Sequence, residues 1–196
     1  MRVLLVTPNA IDDPVRAVAG TFQRLRVWLD AAREAGATIE LASFVPAGAD
    51  VGPERCAAVA AAIERAWGVT ARVTLLHRNA PREESRLGRL VRPLLALRHQ
   101  AEFALYAGEG PRRALEAVLA RGHDLVIHGN LHAALAAGPA PACARVWLDL
   151  DDIETRKAMH GVAGMLDRPR GWWRMAWLPA RFLGERALVR RFERVF

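Results

Sequence analysis

Short apolar runs alternate with helix-like segments along this 196-residue chain, and this alternation constrains the fold more than any other feature. Five runs of four to seven residues have the length and composition of buried strands. They occupy residues 2–7, 38–44, 72–76, 124–128 and 145–148. The pattern predicts an α/β fold, with a Rossmann-like parallel sheet covered by helices on both faces. Because 52% of the residues are hydrophobic, we expect residues 1–196 to form a single domain with its own core.

Helical spacing of apolar residues recurs between these runs. It predicts helices over residues 21–36, 53–67 and 111–122. Residues 85–107 are also expected to be helical, with a break or kink at Pro93. From about residue 153 to the end, the pattern indicates helices that are interrupted near residues 169–171 and at Pro179.

Charge and composition narrow the classes of partner. The net charge is +7, yet Lys157 is the only lysine, so a compositional preference for arginine explains part of the excess. The charge favours anionic partners such as phosphates or an acidic membrane surface, and it does not by itself indicate nucleic acid. No apolar run is long enough to span a membrane, and the first residues do not resemble a signal peptide. A cytoplasmic protein is expected, with Cys56 and Cys143 as free thiols.

Ligands of an open parallel sheet bind at the carboxyl ends of its strands. Four segments follow predicted strands in this way, namely residues 7–21, 44–52, 128–132 and 149–154. In the first, Gly20 and Thr21 begin a helix whose free backbone amides favour a diphosphate, and Arg24 lies one turn further on. The alternative is that Gly20 makes a turn and Thr21 caps the helix.

The segment 128–132 carries two histidines around an asparagine. His128 is able to hold a substrate hydroxyl, Asn130 to orient a sugar, and His132 to contact the same ligand. Alternatively, His128 is a buried histidine at a strand end and His132 is a solvated helix residue. Zinc is not expected here, because no cysteine or further carboxylate stands nearby at ligand spacing.

Four carboxylates stand within six residues directly after the fifth run. Asp149, Asp151 and Asp152 are the candidates for a site, with Glu154 completing the group. Asp151 or Asp152 is expected to cap the following helix. A magnesium or manganese site in a metal-dependent phosphotransferase or hydrolase, built on Asp149 and Asp151, is the alternative.

Aromatic and basic residues fill the segment 170–196. Such a helix is able to lie in a membrane interface, where anionic lipids attract its arginines. The alternative is a helix that docks on its own domain through its aromatic side chains, with the arginines in water.

The order of these segments resembles the N-terminal domain of family-4 glycosyltransferases of the GT-B fold. The opening MRVLLVTPNA, a loop ending at Gly20 and a helix closing at EAGATIELASF resemble the first β-α-β unit of that family. GHDLVIHGN resembles the strand that carries acceptor-facing histidines, and RVWLDLDDIETRKAM resembles a strand ending in an acidic segment. ERALVRRFERVF resembles the helix before the last strand of that domain.

The resemblance implies transfer of a sugar from a nucleotide-sugar donor, with retention at the anomeric carbon and generally without a metal or another cofactor. His128 and Asp149 match the family's acceptor-side histidine and acidic strand end, which implies catalytic roles for them. The acceptor is expected to be a glycan or a lipid-linked molecule at the inner membrane face. A C-terminal donor-binding domain is expected as partner, and the 196 residues alone are expected to be inactive. A standalone basic module for membrane or nucleic acid remains the alternative.

Overall fold

A computed structural model describes residues 1–8, 20–81, 86–91, 95, 97–137, 145–150, 153–164, 172 and 175–196. Within these ranges the backbone forms six strands, eight helices and one 3-10 turn. The strands are β1 (Arg2–Thr7), β2 (Thr38–Val45), β3 (Arg72–His77), β4 (Leu125–His128), β5 (Arg145–Leu148) and β6 (Arg194–Val195). The longer helices are α1 (Gly20–Glu34), α2 (Pro53–Trp67), α5 (Glu109–Leu119), α7 (Glu154–Ala163) and α8 (Leu178–Val189). The shorter ones are α3 (Arg86–Val91), α4 (Ala101–Ala104) and α6 (Leu131–Ala136), and the 3-10 turn spans Leu97–His99.

The six strands form one parallel sheet in the order β3-β2-β1-β4-β5-β6. The predicted Rossmann-like α/β fold is therefore confirmed. The chain moves outward from β1 to β3, returns to the centre at β4, and then moves outward in the other direction. The reversal makes the boundary between β1 and β4 the topological switch point, where ligands of such sheets bind.

Each face of the sheet has its own hydrophobic core, because successive side chains of a strand point to opposite faces. Val3 and Leu5 of β1 pack with α1 and α2 on one face. Leu4 and Val6 pack with α5 and α6 on the other face. A third cluster joins the 3-10 turn, α6 and α8 on this second face.

Two expectations for secondary structure are wrong in detail. Residues 85–107 are helical only in part, because the described residues among them form α3, the 3-10 turn and α4 as separate short elements. Pro93 lies outside the described residues, so the break or kink predicted there stays a prediction. The end of the chain is not helical throughout, because Arg194 and Val195 pair in parallel with β5 as a sixth strand.

The C-terminal helix α8 docks on its own domain. Its residues Arg181, Glu185 and Leu188 are buried against α6, α7 and the 3-10 turn. Docking leaves Phe182 and Leu183 exposed on the outer side of the helix. None of the described helices is long and apolar enough to cross a membrane.

Candidate functional site

The switch point is closed at its base by a direct contact between β1 and the end of β4. The backbone amide of Gly129 donates to the carbonyl of Val6 over 2.8 Å. A Cβ atom at Gly129 would lie 3.3 Å from that same oxygen, which is a tight contact. Glycine therefore lets the loop after β4 approach β1 closely, and helices α1 and α6 leave this point on opposite faces of the sheet.

On the α1 face, a buried carboxylate holds two side chains of α1. The Arg24 guanidinium forms a bidentate ion pair with Asp149, with Nε 3.1 Å from Oδ2. The Trp28 indole also donates to Oδ2, over 2.7 Å. The Asp149 side chain is only 2% exposed, whereas that of Arg24 is 41% exposed. The buried carboxylate thus holds the Arg24 guanidinium at the carboxyl edge of the sheet, and about two-fifths of the Arg24 side chain is exposed.

The first turn of α1 lies one turn before Arg24. Gly20 is the first helical residue and is exposed, and a Cβ atom there would meet nothing within 4 Å. The predicted helix start at Gly20 and Thr21 is therefore confirmed for the backbone. The Thr21 side chain lies outside the described part of the chain. First-turn amides of a helix have no partner within the helix, so this position favours anions.

Beneath these residues the interior offers little room. A cavity of about 10 Å³ is lined by residues of β1, α1, β4 and the loops after β4 and β5, including Thr7, Trp28 and Asp149. That volume suits at most about one water molecule. A ligand at the switch point would therefore lie on the rim, against Gly20 and Arg24.

His128 is in the core on the other face of the sheet. Its ring is 1% exposed, and it packs edge-on against Phe192 at a centroid distance of 5.5 Å. Burial lowers the pKa of His128 to about 4, although a hydrogen bond with the Ala133 backbone acts in the opposite direction. The ring is thus neutral at physiological pH. Among the described residues, its Nδ1 atom has no hydrogen-bond partner.

Asn130 and His132 also belong to the second face, at the start of α6. The Oδ1 atom of Asn130 caps this helix by accepting from the Ala133 amide over 3.1 Å. His132 stacks on Phe103 with ring centroids 4.5 Å apart and contacts Tyr106 edge-on. Burial lowers the pKa of His132 to about 4, with a smaller opposing effect from Glu102. His132 is thus half-buried among aromatic rings.

The predicted site residues therefore fall into two groups. Gly20, Arg24 and Asp149 lie on the α1 face, while His128 and His132 lie on the α6 face. Asp151 and Asp152 lie outside the described residues, so the capping and metal roles predicted for them stay predictions. The catalytic roles of His128 and Asp149 also stay predictions.

For Asp149, the geometry bears on the metal alternative. Both of its carboxylate oxygens already accept hydrogen bonds, from Arg24 and Trp28. A cation bound there would have to share this carboxylate with the positively charged Arg24 guanidinium, which repels it. Over the described ranges, no group of three or more histidine, cysteine or acidic residues is arranged to hold a metal ion.

A buried ionic network was missed by sequence reasoning. Arg181 of α8 pairs with Glu102 at 2.8 Å and with Glu154 at 2.6 Å, and its guanidinium lies over the Phe103 ring. Burial raises the pKa of Glu154, and Arg181 opposes this effect. The two pairs join residues 79 and 27 positions apart in the chain, so no local sequence motif predicts them.

Glu185 has an equally specific role in the same region. Its carboxylate accepts from the amides of Glu154 and Thr155, each over 2.9 Å, and from the Thr155 hydroxyl. A side chain of α8 thus caps the first turn of α7. The sequence signal for this contact is that Glu185 is an acidic residue in a segment rich in arginines, directly before Arg186.

A larger groove of about 480 Å³ runs along the α1 face toward the amino ends of β4 and β5. Alanines of α1 line one side of the groove, and Trp28 and Trp147 add aromatic rings to its apolar lining. Among the described residues that line it, the charged side chains are Asp124 and Arg145. The groove therefore has the size of a ligand site but few groups to hold a diphosphate.

Comparisons of the chain with protein-family models, with curated proteins and with solved structures gave no match.

Proposed function

We propose that this chain is the acceptor-side domain of a retaining glycosyltransferase, which moves a sugar from a nucleotide-sugar donor to a glycan or lipid-linked acceptor. The proposal extends the sequence resemblance. It is supported by the strand order, which places one switch point at the centre of the sheet between β1 and β4. In this proposal a second domain binds the nucleoside, and this chain contacts the diphosphate of the donor.

The observation that carries the proposal is the fixed guanidinium of Arg24 at this switch point. Asp149 holds it in a bidentate pair beside the first turn of α1, while 41% of the side chain stays exposed. A guanidinium held by a carboxylate loses little conformational freedom when a phosphate binds it. Helix amides one turn away add further donors. Together they suit the diphosphate of a nucleotide sugar.

The remaining candidates take supporting roles. Asp149 positions Arg24, and Asn130 fixes the start of α6 beside the crevice. His128, neutral and enclosed, stays a candidate only for a state of the protein in which its ring contacts the acceptor. His132 is closer to solvent and would face the acceptor on the α6 side of the crevice.

The test is an NMR titration of the 196-residue chain with inorganic pyrophosphate and with UDP-glucose. We expect shifts of the Gly20, Thr21 and Gly129 amides, with a dissociation constant on the order of 1 mM. Gly20→Asp should weaken binding by at least about tenfold, because it places a carboxylate against the phosphate. The same substitution should leave stability unchanged or raise it by about 0.3–1 kcal/mol, since an acidic residue suits a helix start.

Matched variants separate binding from folding. Gly20→Ala should bind like the wild type, because a Cβ atom there meets open space. Arg24→Gln should weaken binding, whereas Arg26→Gln should not, since Arg26 pairs with Asp30 along α1. Equal binding by wild type and Gly20→Asp would contradict the proposal. Stabilisation by magnesium that Asp149→Ala abolishes would instead favour a metal-dependent phosphotransferase.

A further inference from the structure

Helices α7 and α8 pack side by side and present apolar side chains to solvent. On α8, the Leu183 side chain points directly away from the buried Arg181, Glu185 and Leu188, and it is 63% exposed. Phe182 beside it is 49% exposed. On α7 and its entry, Met159 and Ile153 are similarly exposed. We call the outward side of these two helices the α7–α8 face.

The charge exposed on this face is mainly basic. Within residues 153–164 and 175–192, the exposed charged side chains are Arg156, Lys157, Arg186, Arg190 and Arg191. The next residue, Glu193, is exposed and acidic. The acidic residues of these ranges, Glu154 and Glu185, turn inward and bond to Arg181 and to the α7 amides. Internal pairing thus removes these two negative charges from the surface and leaves exposed apolar side chains flanked mainly by basic residues.

We propose that the α7–α8 face binds the surface of an anionic phospholipid bilayer, with both helices lying in the plane of the interface. Transfer of the exposed leucine, phenylalanine and methionine side chains from water to the acyl boundary of the bilayer is favourable. The arginines beside them bind lipid phosphates. Charge complementarity selects this partner. A nucleic acid would use the arginines but would leave the aliphatic side chains Leu183, Met159 and Ile153 in water.

The inference does not depend on the proposed function, because the face lies on α7 and α8 and shares no residue with the Arg24–Asp149 pair. It is compatible with that function, since both helices begin at the carboxyl edge of the sheet. A membrane beneath that edge would bring a lipid-linked acceptor to the crevice.

Co-sedimentation with lipid vesicles tests the inference. The 196-residue chain should bind vesicles of phosphatidylcholine with about 30 mol% phosphatidylglycerol, and it should bind pure phosphatidylcholine much more weakly. Salt at about 0.5 M should reduce the binding by screening the charges. No preference for the anionic vesicles would overturn the inference.

Variants of exposed residues localise the contact without perturbing the core. Leu183→Glu and the double variant Arg186→Glu with Arg190→Glu should each lower partitioning by at least about tenfold. Each unit of charge near the anionic surface changes partitioning about fivefold, and the double variant changes four units. Leu183→Glu changes one unit and also removes an apolar side chain from the contact. The controls are Val27→Glu, on the outer side of α1 and 65% exposed, and the double variant Arg112→Glu with Arg113→Glu on α5. The controls carry the same changes of charge and should bind almost like the wild type.

Two results would count against the membrane contact. Equal losses in the controls and in the face variants would show a diffuse effect of net charge. Displacement by a short oligonucleotide, together with wild-type binding by Leu183→Glu, would assign the face to nucleic acid instead.

Discussion

Asp149 connects the loop after β5 to helix α1 at the carboxyl edge of the sheet. Its buried carboxylate accepts from the Arg24 guanidinium and from the Trp28 indole. Both donors stand on the same side of α1, four residues apart, which is the spacing of neighbouring residues on a helix surface. One carboxylate therefore fixes the rotation of α1 against the sheet and the direction of Arg24.

Asp149→Asn should lower the free energy of unfolding by about 1–3 kcal/mol, because an amide offers one acceptor where the carboxylate offers two. Loss of the charge attraction to Arg24 adds little to this cost, because the Arg24 side chain is 41% exposed and solvent screens the ion pair. Urea unfolding measures the change. Asp30→Asn is the control: Asp30 pairs with Arg26 and Arg33 on the helix surface, and its loss should cost less than about 0.5 kcal/mol. Equal effects of the two substitutions would argue against a bridging role for Asp149.

At the scale of elements, helix α8 lies very close to the 3-10 turn at Gly184. A Cβ atom at Gly184 would stand 2.7 Å from the Cβ of Leu97 and 3.3 Å from its backbone nitrogen. Glycine is required there by space rather than by backbone conformation. The absence of a side chain at Gly184 lets α8 pack closely at this point. Arg181, three residues before it, reaches Glu102, and Glu185, the next residue, reaches the start of α7.

Gly184→Ala should therefore destabilise the protein by about 1–3 kcal/mol, because the new methyl group overlaps a backbone-anchored atom. Helix propensity alone would predict the opposite, a gain of up to about 1 kcal/mol. Gly161→Ala on α7 is the matched control, since a Cβ atom there meets nothing within 4 Å and only the propensity gain applies. Thermal unfolding of the two variants should shift in opposite directions, and a gain in both would contradict the tight contact.

The elements could be predicted from sequence to different degrees. The apolar runs predict β1 to β5 to within one residue, because a strand buried on both faces is continuously apolar. Strand β6 could not be predicted, since it is two residues long and begins with an arginine. The cap of α7 was expected from Asp151 or Asp152. Glu185 supplies carboxylate contacts to α7 from another helix, which no local pattern encodes.

For the site, the sequence predicts the edge of the sheet but not the face. Arg24 and Asp149 were candidates for separate roles, and they form a pair across 125 positions of the chain. His128 follows a buried isoleucine, and the alternation of strand side chains turns its ring to the α6 face. Which face each strand residue occupies depends on the crossing of helices over the sheet, and this is a property of the whole fold.

Across the whole molecule, burial of histidines makes stability depend on pH. The pKa of both His128 and His132 is lowered from 6.5 to about 4, chiefly by burial. The unfolded chain therefore binds protons that the folded protein does not, and stability is lost as the pH falls from about 6.5 toward 4.

Glu40 contributes to the pH dependence of stability at a lower pH than the histidines. Burial would raise its pKa, but His123 and Arg121 outweigh burial and lower it, so its contribution is lost only below about pH 4.5.

His128→Leu should remove one of these histidine contributions. From about pH 8 to pH 5, the wild type should lose about 2 kcal/mol of unfolding free energy through His128. Only the 1.5 pH units below the unfolded pKa of 6.5 contribute, at about 1.36 kcal/mol for each unit. Leucine has no proton to bind, so the variant should lose that much less over the same interval. At pH 8 the variant should be slightly less stable than the wild type, because the bond with the Ala133 backbone is gone. Urea unfolding at both pH values gives the difference, and His99→Gln, at an exposed position, should leave it unchanged. The same pH dependence in His128→Leu as in the wild type would mean that the folded protein already binds a proton at His128, and the ring would then have to be accessible to solvent and to a substrate hydroxyl.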